Sequence, residues 1–152
     1  MPEGPTIADT SCLIGLEAIG RLELLKQLYG NVMIPTAVAV EWKPHPPGWI
    51  SIETVRNRSL VRLLGNRLGA GEAETIALAV ERGARRIILD DKQARRIAQQ
   101  YELPLTGTVG VILRAKERGL LSAVKPILGE LRQNGFSISD GLLTEALRLA
   151  GE

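Results

Sequence analysis

Short apolar runs alternate with helical stretches along almost the whole chain, and this alternation restricts the fold more than any other feature. The run Ile87-Ile88-Leu89 is apolar without interruption. Such a run suits a strand buried on both faces, which in an alternating chain means a parallel sheet between helix layers. Upstream, 6-TIADTS-11 reads as a short strand that breaks at Asp-Thr-Ser, with helices over about 12–19 and 22–29 punctuated by Gly20 and Gly30. In 31-NVMIPTAVAVEW-42, Val32-Met33-Ile34 is strand-like, and Pro35 fits the first turn of the helix that carries Glu41. The segment 43-KPHPPG-48 cannot be regular, whereas 49-WISIETV-55 alternates like a strand with one exposed face. Helices are expected at 58–64, 71–82, about 92–101 and 109–118, with strands at 86–90 and within 103–108. Two further helices, about 123–134 and 140–150, close the chain, with Asp140 as an expected N-cap. The expected fold is a three-layer α/β/α sandwich around a central, mostly parallel sheet.

At 152 residues the chain fits one domain, and with 3% aromatic residues its core must be built from Leu, Ile, Val and Ala. Cys12 is the only cysteine, which excludes an internal disulfide and a cysteine-based zinc site and places it in the core as a small hydrophobe. No apolar run approaches the roughly 18 residues needed to span a bilayer, and Met1-Pro-Glu-Gly-Pro lacks the regions of a signal peptide, so a cytoplasmic protein is expected. A formal charge of +2 does not announce a polyanion ligand, but the distribution is uneven. Arg56, Arg58, Arg62 and Arg67 form one basic cluster, and Arg85, Arg86, Lys92, Arg95 and Arg96 surround an aspartate pair. His45 has no second histidine to build a catalytic or zinc pair and reads as surface.

The acids carry the chemistry. Ligands of an open parallel sheet bind beyond the carboxyl ends of its strands, and Asp9 and Asp90 stand at two such ends. Capping explains Asp9 alone, and one member of Asp90-Asp91, but only one residue caps a given helix. Glu72 falls in a first turn, where the helix dipole favours a carboxylate, whereas Glu41 lies late in its helix, where the dipole does not. Taken together, four or more carboxylates at one sheet edge need a cation to offset their repulsion. Hard oxygen ligands suit Mg²⁺ or Mn²⁺, and such ions serve phosphodiester hydrolysis. Glu72 and Glu74 point about 200° apart on a helix. Ala73, Ile76, Ala77 and Val80 mark the face packed on the sheet; Glu72 flanks it, whereas Glu74 shares the side of Glu81 and is expected to be solvated.

The stretches 7-IADTSCLIGL-16, 31-NVMIPTAVAVEW-42, 71-GEAETIALA-79, 87-IILDDKQARRIA-98 and 106-TGTVGVILRAKERGLL-121 closely resemble the PIN-domain ribonucleases, in particular a prokaryotic branch of predicted nucleic-acid-binding proteins akin to the VapC toxins. The resemblance implies an acidic quartet that binds Mg²⁺ or Mn²⁺ and cuts single-stranded RNA with metal-activated water, in proteins many of which are toxins paired with a small antitoxin. It places the quartet on Asp9, Glu41, Glu72 and the Asp90-Asp91 pair, with Thr10 or Ser11 as hydrogen-bonding neighbours. Lys92 and Arg95 are then candidates to hold the RNA backbone. A homodimer is also expected, through helix 12–29 or the C-terminal pair. Two departures stand out: the third acid is often aspartate and is Glu72 here, and Cys12 replaces a common proline. The first leaves a second reading open, a non-catalytic PIN-like module that binds RNA or a protein.

Overall fold

In the computed structural model, which describes residues 3–152, five of the short apolar runs become strands of one parallel sheet. They are β1 (Thr6–Ala8), β2 (Val32–Pro35), β3 (Ile50–Glu53), β4 (Arg86–Ile88) and β5 (Leu105–Thr106), in the order β3-β2-β1-β4-β5. The helices between and after them are α1 (Thr10–Ala18), α2 (Glu23–Tyr29), α3 (Thr36–Trp42), α4 (Arg58–Gly65), α5 (Ala70–Arg82), α6 (Lys92–Gln100), α7 (Thr108–Glu117), α8 (Lys125–Gln133) and α9 (Asp140–Ala150). Met1 and Pro2, on which the leader-peptide reading partly rests, lie outside the described residues. No helix among those described is long and apolar enough to cross a membrane.

Side chains alternate across a strand, and here both faces are apolar, so helices cover both. Ala8, Val32, Ile34 and Ile88 face one core with residues of α1, α2, α7, α8 and α9. Ile7, Ile87 and Leu89 face the other, beneath α4, α5 and α6. The result is the three-layer α/β/α sandwich. Cys12 is fully buried in the first core, and His45 is exposed.

The edge strand β3 exposes Ser51 on one face as its alternation predicts, but Ile52, on the opposite face with buried Ile50, is also 39% exposed, because helices cover the sheet incompletely at its edge. Two local expectations need correction. Pro35 does not open α3 but ends β2, its extended backbone (φ −76°, ψ 164°) leaving Thr36 to start the helix. Asp140 is not an N-cap. Ser139 is, accepting from Leu142 N at 3.1 Å, while Asp140 lies inside the first turn and pairs with Arg132 at 3.0 Å. Both residues have capping side chains, and the serine one step earlier meets the free N–H first.

Candidate functional site

Ligand crevices in parallel sheets form where successive connections leave in opposite directions. Here β1 is followed by β2 on one side, while β4 pairs with its other side, so the crevice lies beyond the ends of β1 and β4. Asp9 is the first residue past β1. Its N–H donates to Ile88 O at 3.0 Å, which extends the ladder one step and fixes the backbone at the crevice floor. The residue is only 5% exposed. Burial does most to disfavour its charge, the Thr10 N–H opposes this, and the nearby charges of Glu72 and Glu41 add to the burial effect; the carboxyl is pushed up to about 7. Thr75 Oγ1 stands 3.4 Å from Asp9 Oδ1, but its single proton has a shorter use in the 2.7 Å bond to Gly71 O.

This raised value has a consequence for stability. The unfolded chain releases the Asp9 proton near the ordinary value of 3.8, whereas the folded chain holds it to about 7. Between those values the folded state binds more protons, so stability is greatest below about 4 on this account and declines as pH rises through about 7. Glu72, also raised, acts in the same direction. In buffer free of divalent cations, carboxylate ionisation at this site is therefore expected to lower the urea midpoint between pH 5 and 8. An Asp9→Asn variant should lose most of that dependence, and an unchanged profile in the variant would refute the assignment.

Glu72 lies in the first turn of α5, where its side chain accepts from Gly69 N at 3.3 Å. Partial burial raises its carboxyl most, then the charge of Asp91, with the Gly69 N–H opposing and Glu41 adding. Glu41 arrives from α3 and accepts from Thr10 Oγ1 at 2.7 Å and from Gly71 N at 3.1 Å. A Cβ at Gly71 would stand 2.6 Å from Glu41 Oε2, so a larger residue there would displace the Glu41 carboxylate.

The two adjacent aspartates have separate partners. Asp90 Oδ1 accepts from Thr108 N at 2.8 Å, and its Oδ2 from Ser11 Oγ at 2.8 Å and Thr108 Oγ1 at 2.7 Å, tying the end of β4 to the first turns of α1 and α7. Asp91 instead caps α6 through Ala94 N at 2.9 Å and stays exposed, close enough to Glu72 to raise it.

Asp9, Glu72, Asp90 and Asp91 line one cleft of ≈ 790 Å³ together with Ser11 and Lys92, and the 134–139 segment forms another part of its wall. Glu41 is not among the lining residues; it reaches the cluster through Thr10 and Gly71. Arg95 lines a second cleft of ≈ 460 Å³ that shares Asp90 and Lys92 with the first, and its guanidinium donates to Leu89 O at 2.7 Å. Of the other arginines singled out by sequence, Arg58 pairs with Glu74 and Arg86 stacks on Tyr29, its carbon 4.2 Å from the ring centre. Among the described residues, no three acidic, histidine or cysteine side chains form a ready-made metal group.

The expectation for Glu74 is overturned. It is 7% exposed, accepts from Ala37 N at 2.9 Å and pairs with Arg58 at 3.0 Å. The reason is that α5 packs against α3 and α4 as well as the sheet, so a single sheet-facing stripe does not describe it. Val80, assigned to that stripe, is 40% exposed. Glu81 is also engaged, accepting from Arg56 N and Asn57 N at 2.9 Å. Residues that sequence reasoning missed include Thr108, Gly71 and the 134–139 segment. Thr108 opens the helix after the strand next to β4, and that position was a usable signal.

A family profile described as PIN domain matches residues 5–152. No curated protein and no solved structure matches the chain. The match spans nearly the whole sequence, and the parallel sheet between helix layers agrees with it: the chain belongs to the PIN-domain family, whose fold is that of nucleases.

Proposed function

We propose that the chain is a divalent-cation-dependent endoribonuclease acting on single-stranded RNA. The observation that carries this reading is the buried carboxyl of Asp9, set among the charges of Glu72 and Glu41 at the β1–β4 crevice and opening into a cleft lined by Asp90 and Asp91. The donor set is all carboxylate oxygen, which suits Mg²⁺ or Mn²⁺ rather than softer ions. Asp9, Glu72 and Asp91 would hold the ion, because Asp90 is taken up by Ser11 and Thr108, and Glu41 by Thr10 and Gly71. Asp90 and Glu41 then fix the helix ends from which the others project. When bound, the cation supplies positive charge to the phosphate and lowers the pKa of water. Lys92, lining both clefts, and Arg95 would position the backbone without reading bases.

Titration calorimetry with Mn²⁺ at neutral pH and an assay of EDTA-sensitive cleavage of single-stranded RNA test the reading together. Binding and cleavage are expected, and absence of both overturns it. RNA binding with neither would favour the non-catalytic module. Two partners belong to the same proposal, a small antitoxin protein and a second copy of the chain. The exposed Ile14, Leu142 and Leu149 place apolar surface on α1 and α9, the elements expected to self-associate. Light scattering at micromolar concentration should return about twice the 16.5 kDa of the chain, and a value near 16.5 kDa would exclude a stable dimer.

A further inference from the structure

Phe136 is the single phenylalanine of the chain, and it borders both clefts. Among the described residues, no other aromatic side chain lines either one. Its position is fixed by packing. A Cβ at Gly15 would lie 2.9 Å from Phe136 Cδ2, and the ring also packs on the first core. Beyond it, the second cleft has an apolar lining from Leu105, Val109, Leu113 and Leu149, with Thr106, Ser137 and Glu145, the last paired with Arg148, among its polar groups. A mostly apolar recess with a fixed aromatic and a few polar groups is the chemistry that receives a planar heterocycle.

The recess is continuous with the acidic cleft through Asp90 and Lys92. A strand whose phosphate lies in the acidic cleft therefore brings a neighbouring nucleoside to Phe136, and Arg95 supplies a cation along that path. We infer that the ≈ 460 Å³ cleft is a nucleobase subsite, in which Phe136 stacks on the base beside the scissile phosphate. The inference rests on the ribonuclease reading and deepens it. Stacking is tolerant of base identity because every base has a π-face, so the subsite would add affinity more than sequence selectivity.

The test measures binding by fluorescence anisotropy, using short labelled single-stranded RNAs that carry one abasic position at each place in turn. Titration in Ca²⁺, which takes the same oxygen ligands as Mg²⁺ but is a weaker Lewis acid, keeps the cation site filled and the RNA intact. One abasic position is expected to weaken binding roughly 5- to 150-fold, the range for loss of a base–aromatic stack. Phe136→Leu, which keeps apolar bulk on Gly15, should weaken binding of the intact RNA by a similar factor and erase the abasic penalty. Phe136→Trp should retain both. Leu149→Glu, at a residue 59% exposed, provides a variant with an unperturbed core and should weaken binding through the second cleft, light scattering on the same variant separating this from a change in self-association. An abasic penalty that is equal in the Phe136→Leu and Phe136-containing proteins, with cleavage by the parent intact, overturns the subsite and leaves the ribonuclease reading standing. No binding of any RNA to the parent overturns both.

Discussion

Asp9→Asn is expected to remove divalent-cation binding and lower RNA cleavage by well over a hundredfold, while making the cation-free protein more stable above pH 7. The two effects have one origin. Asp9 is buried at the crevice floor, where its charge is disfavoured first by burial and then by Glu72 and Glu41. Asparagine has nearly the same shape and carries no charge, so the folded state no longer opposes ionisation there. Each unit of pKa shift corresponds to about 1.4 kcal/mol, so the gain should reach a few kcal/mol at the alkaline end. The same substitution removes an anionic oxygen from the donor set. Replacing residues that merely support a metal ligand costs about 10- to 100-fold, and loss of a ligand should exceed that. Cleavage assays and urea denaturation at pH 8 check both halves. A variant that cleaves within a few-fold of the parent would remove Asp9 from the site.

The second large effect separates two glutamates of one helix. Glu72→Gln should abolish cation binding and cleavage with little loss of stability, because Glu72 lines the cleft and, among the described residues, its only hydrogen bond is the 3.3 Å contact with Gly69 N. Glu74→Ala should do the reverse in kind: it removes the acceptor of Ala37 N at the start of α3. A donor left unpaired at a buried site costs about 1–3 kcal/mol. The ion pair with Arg58 adds little, since the arginine side chain is 54% exposed. A drop of about 2 kcal/mol in unfolding free energy is therefore expected for Glu74→Ala. Cleavage should fall only in so far as α3, which carries Glu41, shifts. Equal stability of Glu74→Ala and the parent would refute the capping role.

Much of this was legible in the sequence because strand-to-helix alternation is a local property. Ile87-Ile88-Leu89 announced a doubly buried strand, and residues that end such strands must lie at the sheet's carboxyl edge, so Asp9 and Asp90 could be placed together without coordinates. Glu74 could not be placed in this way. Its burial depends on α3 and α4 packing around α5, and the periodicity of one helix does not reveal how many neighbours it has. The division between Asp90 and Asp91 was hidden for a similar reason, since the partners of Asp90 are Ser11 and Thr108, from distant parts of the chain. Ser139 and Asp140 are equally good caps by residue type, and only backbone geometry chose between them. Phe136 lacked any signal, being one aromatic in a polar connection whose value depends on what faces it.

The connection that carries Phe136 is anchored at both ends. Its hydrogen bonds run back to α8, from Phe136 N to Leu131 O at 2.9 Å and from the Arg132 guanidinium to Ile138 O at 2.6 Å, and forward to α9, where Ser139 Oγ accepts from Leu142 N at 3.1 Å, whereas the acids project from the strand ends and from the helices that follow them. On the proposed reading, the surface that meets a substrate and the groups that act on it are thus encoded in separate stretches of chain. Within 134–139 the exposed Asn134 and Ser137 can be randomised in a library to retune which strands are accepted, while Ile138, buried in the first core, and Ser139, the cap of α9, are kept.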